Sequence, residues 1–485
     1  MNDSGERMMF KETGRDEMLA ALNLQREAFT AARPEALSVR HDRLERCARM
    51  LLDHGEEFAR AMSADFGHRS HAQSMLTDVM PAMSLIRYSQ KRMKAWSKPE
   101  KRHVNFPLNL LGARAEVRYE PKGVIGVVAP WNFPVGLTMG PLAQAFAAGN
   151  RAMLKPSEFT ERTSELMAQL FPKFFGPEEV VVVLGGPQTG QDFCALPFDH
   201  LLFTGATSIG KHVLHAAADN LVPVTLELGG KSPTIMGRSA NVERAAERIA
   251  LGKMMNAGQI CLAPDYMLVP EDMEHQAIGA VQASVAQMYP TLLANDDYTS
   301  VINRRHFDRL TGLVDDAVAK GAEAIVVNPG NENFAGSNGN KMPLTILRNV
   351  NDDMKVMQDE IFGPILPVKT YRGIDQAIDY INAHDRPLGL YYFGEDSAER
   401  ETVLGRTISG GVTVNDVIFH VSADDLPFGG IGPSGMGSYH GVEGFRAFSH
   451  ARAVYSQPKI GLAKIAGLMP PYGAATARTL KMQIK

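Results

Sequence analysis

Between residues 124 and 227 the chain repeats one pattern: a short run of branched apolar residues, a polar turn, then a longer stretch with apolar residues at every third or fourth position. The apolar runs fall at 124 to 129, 151 to 155, 179 to 184, 200 to 204 and 223 to 227, and the helical stretches at 135 to 149, 159 to 174, 187 to 196 and 207 to 219. Strands this short and this continuously apolar are those covered on both faces, and the long connections between them suit parallel pairing through helical crossovers. The pattern therefore predicts a doubly wound parallel sheet. Such a sheet binds ligands at the carboxyl ends of its strands. Here those ends carry APWNFP, KPSE, GGPQTG, FTGATSIG and LELGGKSP. Any one of these is ordinary turn chemistry, but all of them on one sheet edge make a ligand platform.

The region before residue 100 reads as helices at 13 to 30, 38 to 64 and 70 to 97. Residues 112 to 121 alternate like an exposed strand. A second α/β series follows between 234 and 410. Its helices are predicted at 241 to 257, 272 to 289, 302 to 320 and 373 to 380, and its strands at 265 to 269, 323 to 327, 343 to 347, 364 to 370, 388 to 392 and 411 to 414. The Gly- and Asn-rich stretch 328 to 341 reads as a mobile surface loop. FTGATSIG departs from the usual dinucleotide glycine spacing. A helix starting near Thr207 would offer free N–H groups to a pyrophosphate, or would simply be capped by Thr207 or Ser208; the residues leave both open.

A chain of 485 residues with 45% hydrophobic residues can bury more than one core, and its length favours two or three domains. Fifty basic against 54 acidic side chains leave a formal charge of -4, without the basic field that nucleic acid requires. The cysteines, Cys47, Cys194 and Cys261, do not make a disulfide framework. Unpaired thiols point to a reducing compartment, so a cytoplasmic protein is expected. The charged start lacks the apolar core of a signal peptide. Apolar runs elsewhere are interrupted before they reach membrane-spanning length, and the segment 460 to 485 reads as a surface tail.

PWNFP, KPSE, FTGATSIG, LELGGKSP, NAGQIC, EIFGP and LPFGGIGPSGMGSYHG occur in this order, and with this spacing the chain resembles the aldehyde dehydrogenase superfamily over most of its length. CLAPDY and SYHGVEGFRAFSHARAVY are similar to its shorter, class 3-like branch, and the whole pattern to the bacterial coniferyl aldehyde dehydrogenases. The resemblance implies an α/β fold of three parts. An N-terminal helical region and a Rossmann-like dinucleotide-binding domain would occupy 1 to 106 and 122 to 230, an α/β catalytic domain 231 to 426, and a small strand-rich oligomerisation element with the tail 107 to 121 and 427 to 485. It also implies a homodimer.

Oxidation of an aldehyde requires a nucleophile that turns the planar carbonyl into a tetrahedral alkoxide able to expel hydride. A cysteine thiolate does this and later leaves from the thioester. The resemblance puts Cys261 in that role, Asn132 as donor to the tetrahedral oxygen, and Glu227 as the base for thioester hydrolysis. For the cofactor it implies Trp131, Lys155, Glu158, Thr204, Gly205, Gly210, Leu228, Gly229, Glu360 and Phe362, with Gly230 keeping the backbone slim beside Gly229. Lys155 and Glu158 would meet the adenosine ribose. A carboxylate there disfavours a 2'-phosphate and tilts the choice to NAD, although members of the branch with this glutamate also use NADP. No metal is implied. Two departures stand near the site: Ala206 where many relatives have Ser, and Ile260 where many have Thr.

For the substrate the resemblance implies coniferaldehyde, oxidised to ferulate; an apolar tunnel is expected from Phe133, Leu251, Met255 and Ile260 near the motifs and from Ile418, Phe419 and His420 as a distal wall, with His420 or a water meeting the phenol. A tunnel for medium-chain aliphatic aldehydes is the alternative. A cysteine hydrolase using Cys261 and Glu227 would leave Lys155, Glu158, Glu360 and Phe362 unexplained, and a catalytically silent relative would most simply lack Cys261, Asn132 or Glu227.

Overall fold

The computed structural model describes residues 11–106, 108–337, 339–459 and 461–484. The charged start, up to residue 10, lies outside the described residues, as does Asn338 in the stretch 328 to 341.

Among the described residues the strands form three sheets. The first runs in the order Gly435–Met436, Val224–Leu228, His200–Gly205, Val124–Val128, Arg151–Lys155, Val180–Val182. All its pairings are parallel except that of Gly435–Met436. Successive side chains leave a strand on opposite faces. Accordingly Val124, Met153, Leu201 and Leu226 pack with Met18, Leu22, Val213 and Ala217 on one side. Ile125, Leu154 and Leu202 pack with Leu44, Phe58, Leu142 and Phe171 on the other. Helices cover both faces, which is why these strands read as unbroken apolar runs.

The second sheet runs Glu323–Val327, Leu344–Arg348, Ile365–Tyr371, Tyr266–Pro270, Pro233–Met236, Gly389–Phe393, Gly411–Val414. It too is covered on both faces. Met267 and Leu366 lie with Ile249 and Val281 from the helices Val242–Met254 and Glu274–Met288. Leu268 and Leu347 lie with Leu310 and Ile378 from Arg304–Ala319 and Ile374–Asn382. The third sheet is small and antiparallel: Glu100–Arg102, Arg114–Pro121 and Ser449–Ser456, with Ser449–Ser456 on one edge.

Four differences from the sequence reading have physical causes. Pro233–Met236 is a fully buried strand that its leading proline disguised as a turn. The helix predicted over 70 to 97 is interrupted by a wide turn at Met75–Val79. Pro81 has no N–H for the preceding turn, and the wide turn brings the Asp78 carboxylate to the Gly136 N–H. The helix predicted over 241 to 257 stops at Met254, because Asn256 and Ala257 take left-handed backbone angles, φ 50 and 51. The C-terminal segment that the sequence reading gave to oligomerisation also lends Gly435–Met436 to the first sheet. The stretch 328 to 341 is fastened in part, since the Glu332 carboxylate accepts the N–H groups of Leu292 and Leu293. No helix of the described residues is long and apolar enough to cross a membrane.

Candidate active site

The carboxyl ends of the first sheet open into a cleft of about 910 Å³ that reaches across to the second sheet. Its wall includes Ala129 to Asn132, Lys155 to Phe159, Gly186, Pro187, Gly190 and Gln191, Thr204 to Ala206 with Ser208 and Ile209, and Glu227 to Gly229, so every strand end picked out by its polar turn contributes. Cys261, Glu360 and Phe362 close it from the opposite side.

Cys261 follows a turn whose shape is locked from several directions. Gly258 has φ 73, and a Cβ there would stand 2.4 Å from the Gly363 carbonyl oxygen. The buried Gln259 side chain donates to the carbonyls of Asn256 (2.8 Å) and Ser300 (3.0 Å) and accepts the Ile302 N–H (2.9 Å). Asn132 Nδ2 donates to the Gln259 carbonyl at 3.1 Å, two residues before the cysteine. The Asn132 carbonyl in turn accepts from Asn256 Nδ2 (3.1 Å) and from the fully buried Arg69 (2.9 Å). Asn132 and the turn before Cys261 are thus one hydrogen-bonded unit, although 129 positions separate them in the sequence as numbered, 132 to 261.

The charges around Cys261 are unusual. Glu227 ends a strand, is 1% exposed, and neither carboxylate oxygen has a hydrogen-bond partner among the described residues. Burial, and then the nearby Glu360, push it well above the carboxylate range. Glu360 is itself raised to about 8 by burial and by Asp265, against the Gly230 N–H and the cations Lys231 and Arg309. The half-buried Cys261 is raised well above the ordinary thiol by burial and by both glutamates. Three acidic groups in one chamber resist sharing more than one negative charge. A proton that leaves the thiol for Glu227 moves that charge within the chamber without adding to it. Lys253, fully buried with its ammonium unpartnered among the described residues, is pulled down to about 8 by burial against the attraction of Asp265.

The loop carrying Glu360 and Phe362 is held firmly. Asp265 Oδ1 accepts the Ile361 N–H at 2.9 Å, Lys231 donates to the carbonyls of Val356 and Asp359, and Arg309 to those of Glu360 (3.3 Å) and Ile361 (2.6 Å). A Cβ on Gly229 would lie 2.0 Å from Glu360 Oε2, so the glycine leaves room for the Glu360 carboxylate where it stands. Trp131 packs between Phe362 (5.3 Å) and His306 (5.1 Å). Lys155 Nζ donates to the Pro156 carbonyl at 2.9 Å and stands 3.7 Å from Glu158. The helix Thr207–Ala218 begins at Ala206 with no side-chain cap, and the Thr207 hydroxyl bonds away to the Pro433 carbonyl. The capping alternative is therefore not what forms, and the helix end faces the cleft at Gly205, Ala206 and Ser208. Thr204 Oγ1 and Glu360 Oε1 are buried without partners among the described residues. A long cleft with a bare helix end and orphaned polar atoms fits an extended dinucleotide.

Trp131, Lys155, Glu158, Thr204, Gly205, Leu228, Gly229, Glu360 and Phe362 all line this cleft, while Gly210 does not. Gly210 stands behind the wall, where a Cβ would meet Leu228 at 2.7 Å. Sequence reasoning missed Phe159, His212, His306 and Arg309 on the wall. His306, lowered to about 4 by burial and by Arg309 and Arg305, lies in the first turn of the helix Arg304–Ala319, which the sequence predicted over 302 to 320 without any sign of which face meets the cleft.

The residues predicted for the substrate tunnel divide. Phe133, Met255, Ile260 and Ile418 pack with Cys261 in one apolar cluster. Leu251 and Phe419 are exposed, at 40% and 51%. His420 turns to the Thr413 hydroxyl (Nδ1 to Oγ1, 2.8 Å), with its Nε2 against Gly411, and burial holds it neutral with a pKa of about 4.

Residues 5–454 match the Aldehyde dehydrogenase family model. The "Probable coniferyl aldehyde dehydrogenase" of Caulobacter vibrioides is 54% identical over 466 residues, 96% of each chain. The "Coniferyl aldehyde dehydrogenase" of a Pseudomonas species is 51% identical over 462 residues, 95% of each. The substrate-bound structure of Staphylococcus aureus AldH superposes with a TM-score of 0.88 at 33% identity, covering 96% of this chain and 99% of that one. The chain belongs to the aldehyde dehydrogenase family, which oxidises aldehydes with NAD(P).

Proposed function

We propose that Cys261 is the nucleophile, Asn132 the oxyanion donor and Glu227 the hydrolytic base of this oxidation. The observation that carries the reading is their placement together at the inner end of a cleft whose outer wall holds Lys155 and Glu158. Cys261 Sγ bonds to the aldehyde carbon as its proton passes to Glu227, through water where the two do not touch. Asn132 Nδ2 and the Cys261 N–H hold the resulting alkoxide. Donors set in advance toward a developing charge are worth roughly 3 to 4 kcal/mol each. The nicotinamide, when bound, supplies the hydride acceptor. Loss of hydride leaves a thioester on Cys261. Glu227, its first proton released to solvent, then takes a proton from the water that attacks the acyl carbon; the C–S bond breaks, and that proton passes from Glu227 to the Cys261 sulfur as the acid leaves and ionises.

Lys155 and Glu158 would hold the adenosine ribose, with the 2' and 3' hydroxyls donating to the Glu158 carboxylate. That carboxylate repels a 2'-phosphate, so NAD is the preferred cofactor and NADP the weaker one. Trp131, Thr204, Gly205, Leu228, Gly229, Glu360 and Phe362 would shape the rest of the cofactor's path.

For the substrate we favour coniferaldehyde, oxidised to ferulate. Its support is the naming of the Caulobacter and Pseudomonas relatives and the apolar wall of Phe133, Met255, Ile260 and Ile418 beside the nucleophile. His420 bonds Thr413 through Nδ1 and leaves Nε2 buried without a partner among the described residues, so Nε2 is the polar atom of this wall that could meet the phenol, beside apolar packing of the ring. The test is kcat/KM for coniferaldehyde, benzaldehyde, hexanal and decanal with NAD and NADP under matched conditions. Coniferaldehyde with NAD should lead. Preference for hexanal or decanal by about tenfold or more, which one or two pocket contacts can produce, would overturn the substrate assignment.

The assembly we propose is a homodimer in the cytoplasm, built of the three parts set out from the sequence. Ser449–Ser456 is an edge strand whose outer backbone groups can pair with a second chain. Its cysteines are all free, as a reducing compartment would keep them. Light scattering during size-exclusion chromatography should give twice the chain mass; a monomer far above assay concentrations would contradict it.

A further inference from the structure

Two fully buried tyrosines flank the nucleophile, and they differ in one respect. The Tyr391 hydroxyl donates to the Leu262 carbonyl at 2.5 Å. The Tyr439 hydroxyl, in a residue 1% exposed, has no hydrogen-bond partner among the described residues. A buried phenol is normally satisfied, so an orphaned one needs a reason. Tyr439 belongs to the SYHG string, to which the reading above gives no chemical part.

Its position is specified by the fold. Gly435–Met436 pairs with the strand that ends in Glu227, in a register that sets Gly435 opposite Glu227 itself. Beyond the turn at Gly437 (φ 76), Tyr439 exchanges backbone hydrogen bonds with Phe428, both at 2.8 Å. Its ring packs in the apolar cluster that holds Ile260, Leu262 and Cys261. Burial first, and then the charges of Glu227 and Cys261, raise the phenol well above its ordinary range. Like the Tyr439 hydroxyl, both oxygens of Glu227 are buried without a partner among the described residues.

We propose that Tyr439 is a positioning residue for thioester hydrolysis, its hydroxyl donating to the Glu227 carboxylate directly or through one water and so holding the base ionised and aimed. The inference rests on the assignment of Glu227 as that base. A donor to the ionised form favours it and lowers its pKa. Around Glu227 the other acidic groups, Glu360 and Cys261, act in the opposite sense. His440, whose ring meets Tyr439 edge-on at 4.7 Å, is held neutral by burial with a pKa of about 4 and adds no charge at working pH. Among the described groups around it, Tyr439 is then the donor that can offset the repulsion from Glu360.

The sign of the effect follows. Without the donor the Glu227 pKa rises, so Tyr439→Phe needs a higher pH to ionise its base. The experiment forms the acyl-enzyme with benzaldehyde and NAD, then follows its decay by rapid quench across pH in wild type, Tyr439→Phe and Glu227→Gln. The acid limb of decay in Tyr439→Phe should move up by about one pH unit, the scale of a hydrogen bond to a charged group, with decay and the rate of NADH formation at high pH unchanged. Superimposed limbs, or an equal loss at every pH, overturn the proposal. Should the Phe variant melt early, Tyr439→3-fluorotyrosine, a stronger donor of nearly equal size, carries the test: its limb moves down, and an unmoved limb overturns the idea. If Glu227→Gln decays like wild type, it is the assignment of Glu227 that fails.

Discussion

The outer and inner halves of the cleft are built on opposite plans. In the outer half the polar groups are close neighbours in sequence and partly satisfy one another: Lys155 bonds to Pro156 and faces Glu158, and the helix Thr207–Ala218 follows directly on its strand. In the inner half the groups come from distant segments and stand unpaired. Glu227, Glu360 and Lys253 are all buried with atoms that find no partner among the described residues. Binding surfaces can be assembled from whole secondary elements. Reactive surfaces hold groups away from the partners that would quiet them, and the surrounding fold offsets the cost.

Breaking the inner half alone should be the most damaging. Cys261→Ala is expected to lower turnover by at least about 10⁴-fold, while dinucleotide affinity, read by fluorescence titration, changes by no more than about twofold. Normal turnover would mean that the nucleophile lies elsewhere. Asn132→Ala removes one oxyanion donor and should cost about 10² to 10³ in kcat with little change in KM. Because its side chain also bonds the Gln259 carbonyl, thermal melting should show a loss of about 1 kcal/mol as well.

Gly229→Ala sharpens the comparison at the seam between the halves. The added methyl would meet Glu360 Oε2 at 2.0 Å, so the buried Glu360 carboxylate must move. A fall of about tenfold in kcat/KM, affecting cofactor and aldehyde together, is expected. Equal kinetics would show that the Glu360 carboxylate yields freely. The smallest effect belongs to the outer half. Glu158→Gln keeps the shape and removes the charge, so kcat/KM with NAD should fall a few-fold and the NADP to NAD ratio rise by about tenfold. An unchanged ratio would locate cofactor choice away from Glu158.

The same division governs what could be read from the amino acids. The first sheet was legible because its signal is local: each apolar run ends in its own polar turn, and each of those turns lies on the cleft. Pro233–Met236 was not, since a proline at the head of a four-residue strand looks like punctuation. Cys261, Asn132 and Glu227 were reached through motif resemblance, and no periodicity would have joined them; only folding brings Asn132 to Gln259. His306 and Arg309 were missed because their helix carries a surface-like charge pattern and only the second sheet turns its first turn inward. The distal tunnel was the least legible. Leu251 and Phe419 are near the motifs in sequence yet exposed, and His420, expected like a water in its place to meet a substrate phenol, bonds Thr413 through Nδ1 and leaves Nε2 buried without a partner among the described residues.

The most direct test is to stop the reaction between its two halves. Glu227→Gln, mixed with aldehyde and NAD and quenched in acid, should show by mass spectrometry one acyl group per chain, on the peptide that contains Cys261, with one equivalent of NADH formed. An unmodified Cys261 peptide alongside that equivalent of NADH would contradict the account, because the aldehyde would then have been oxidised without passing through the thioester.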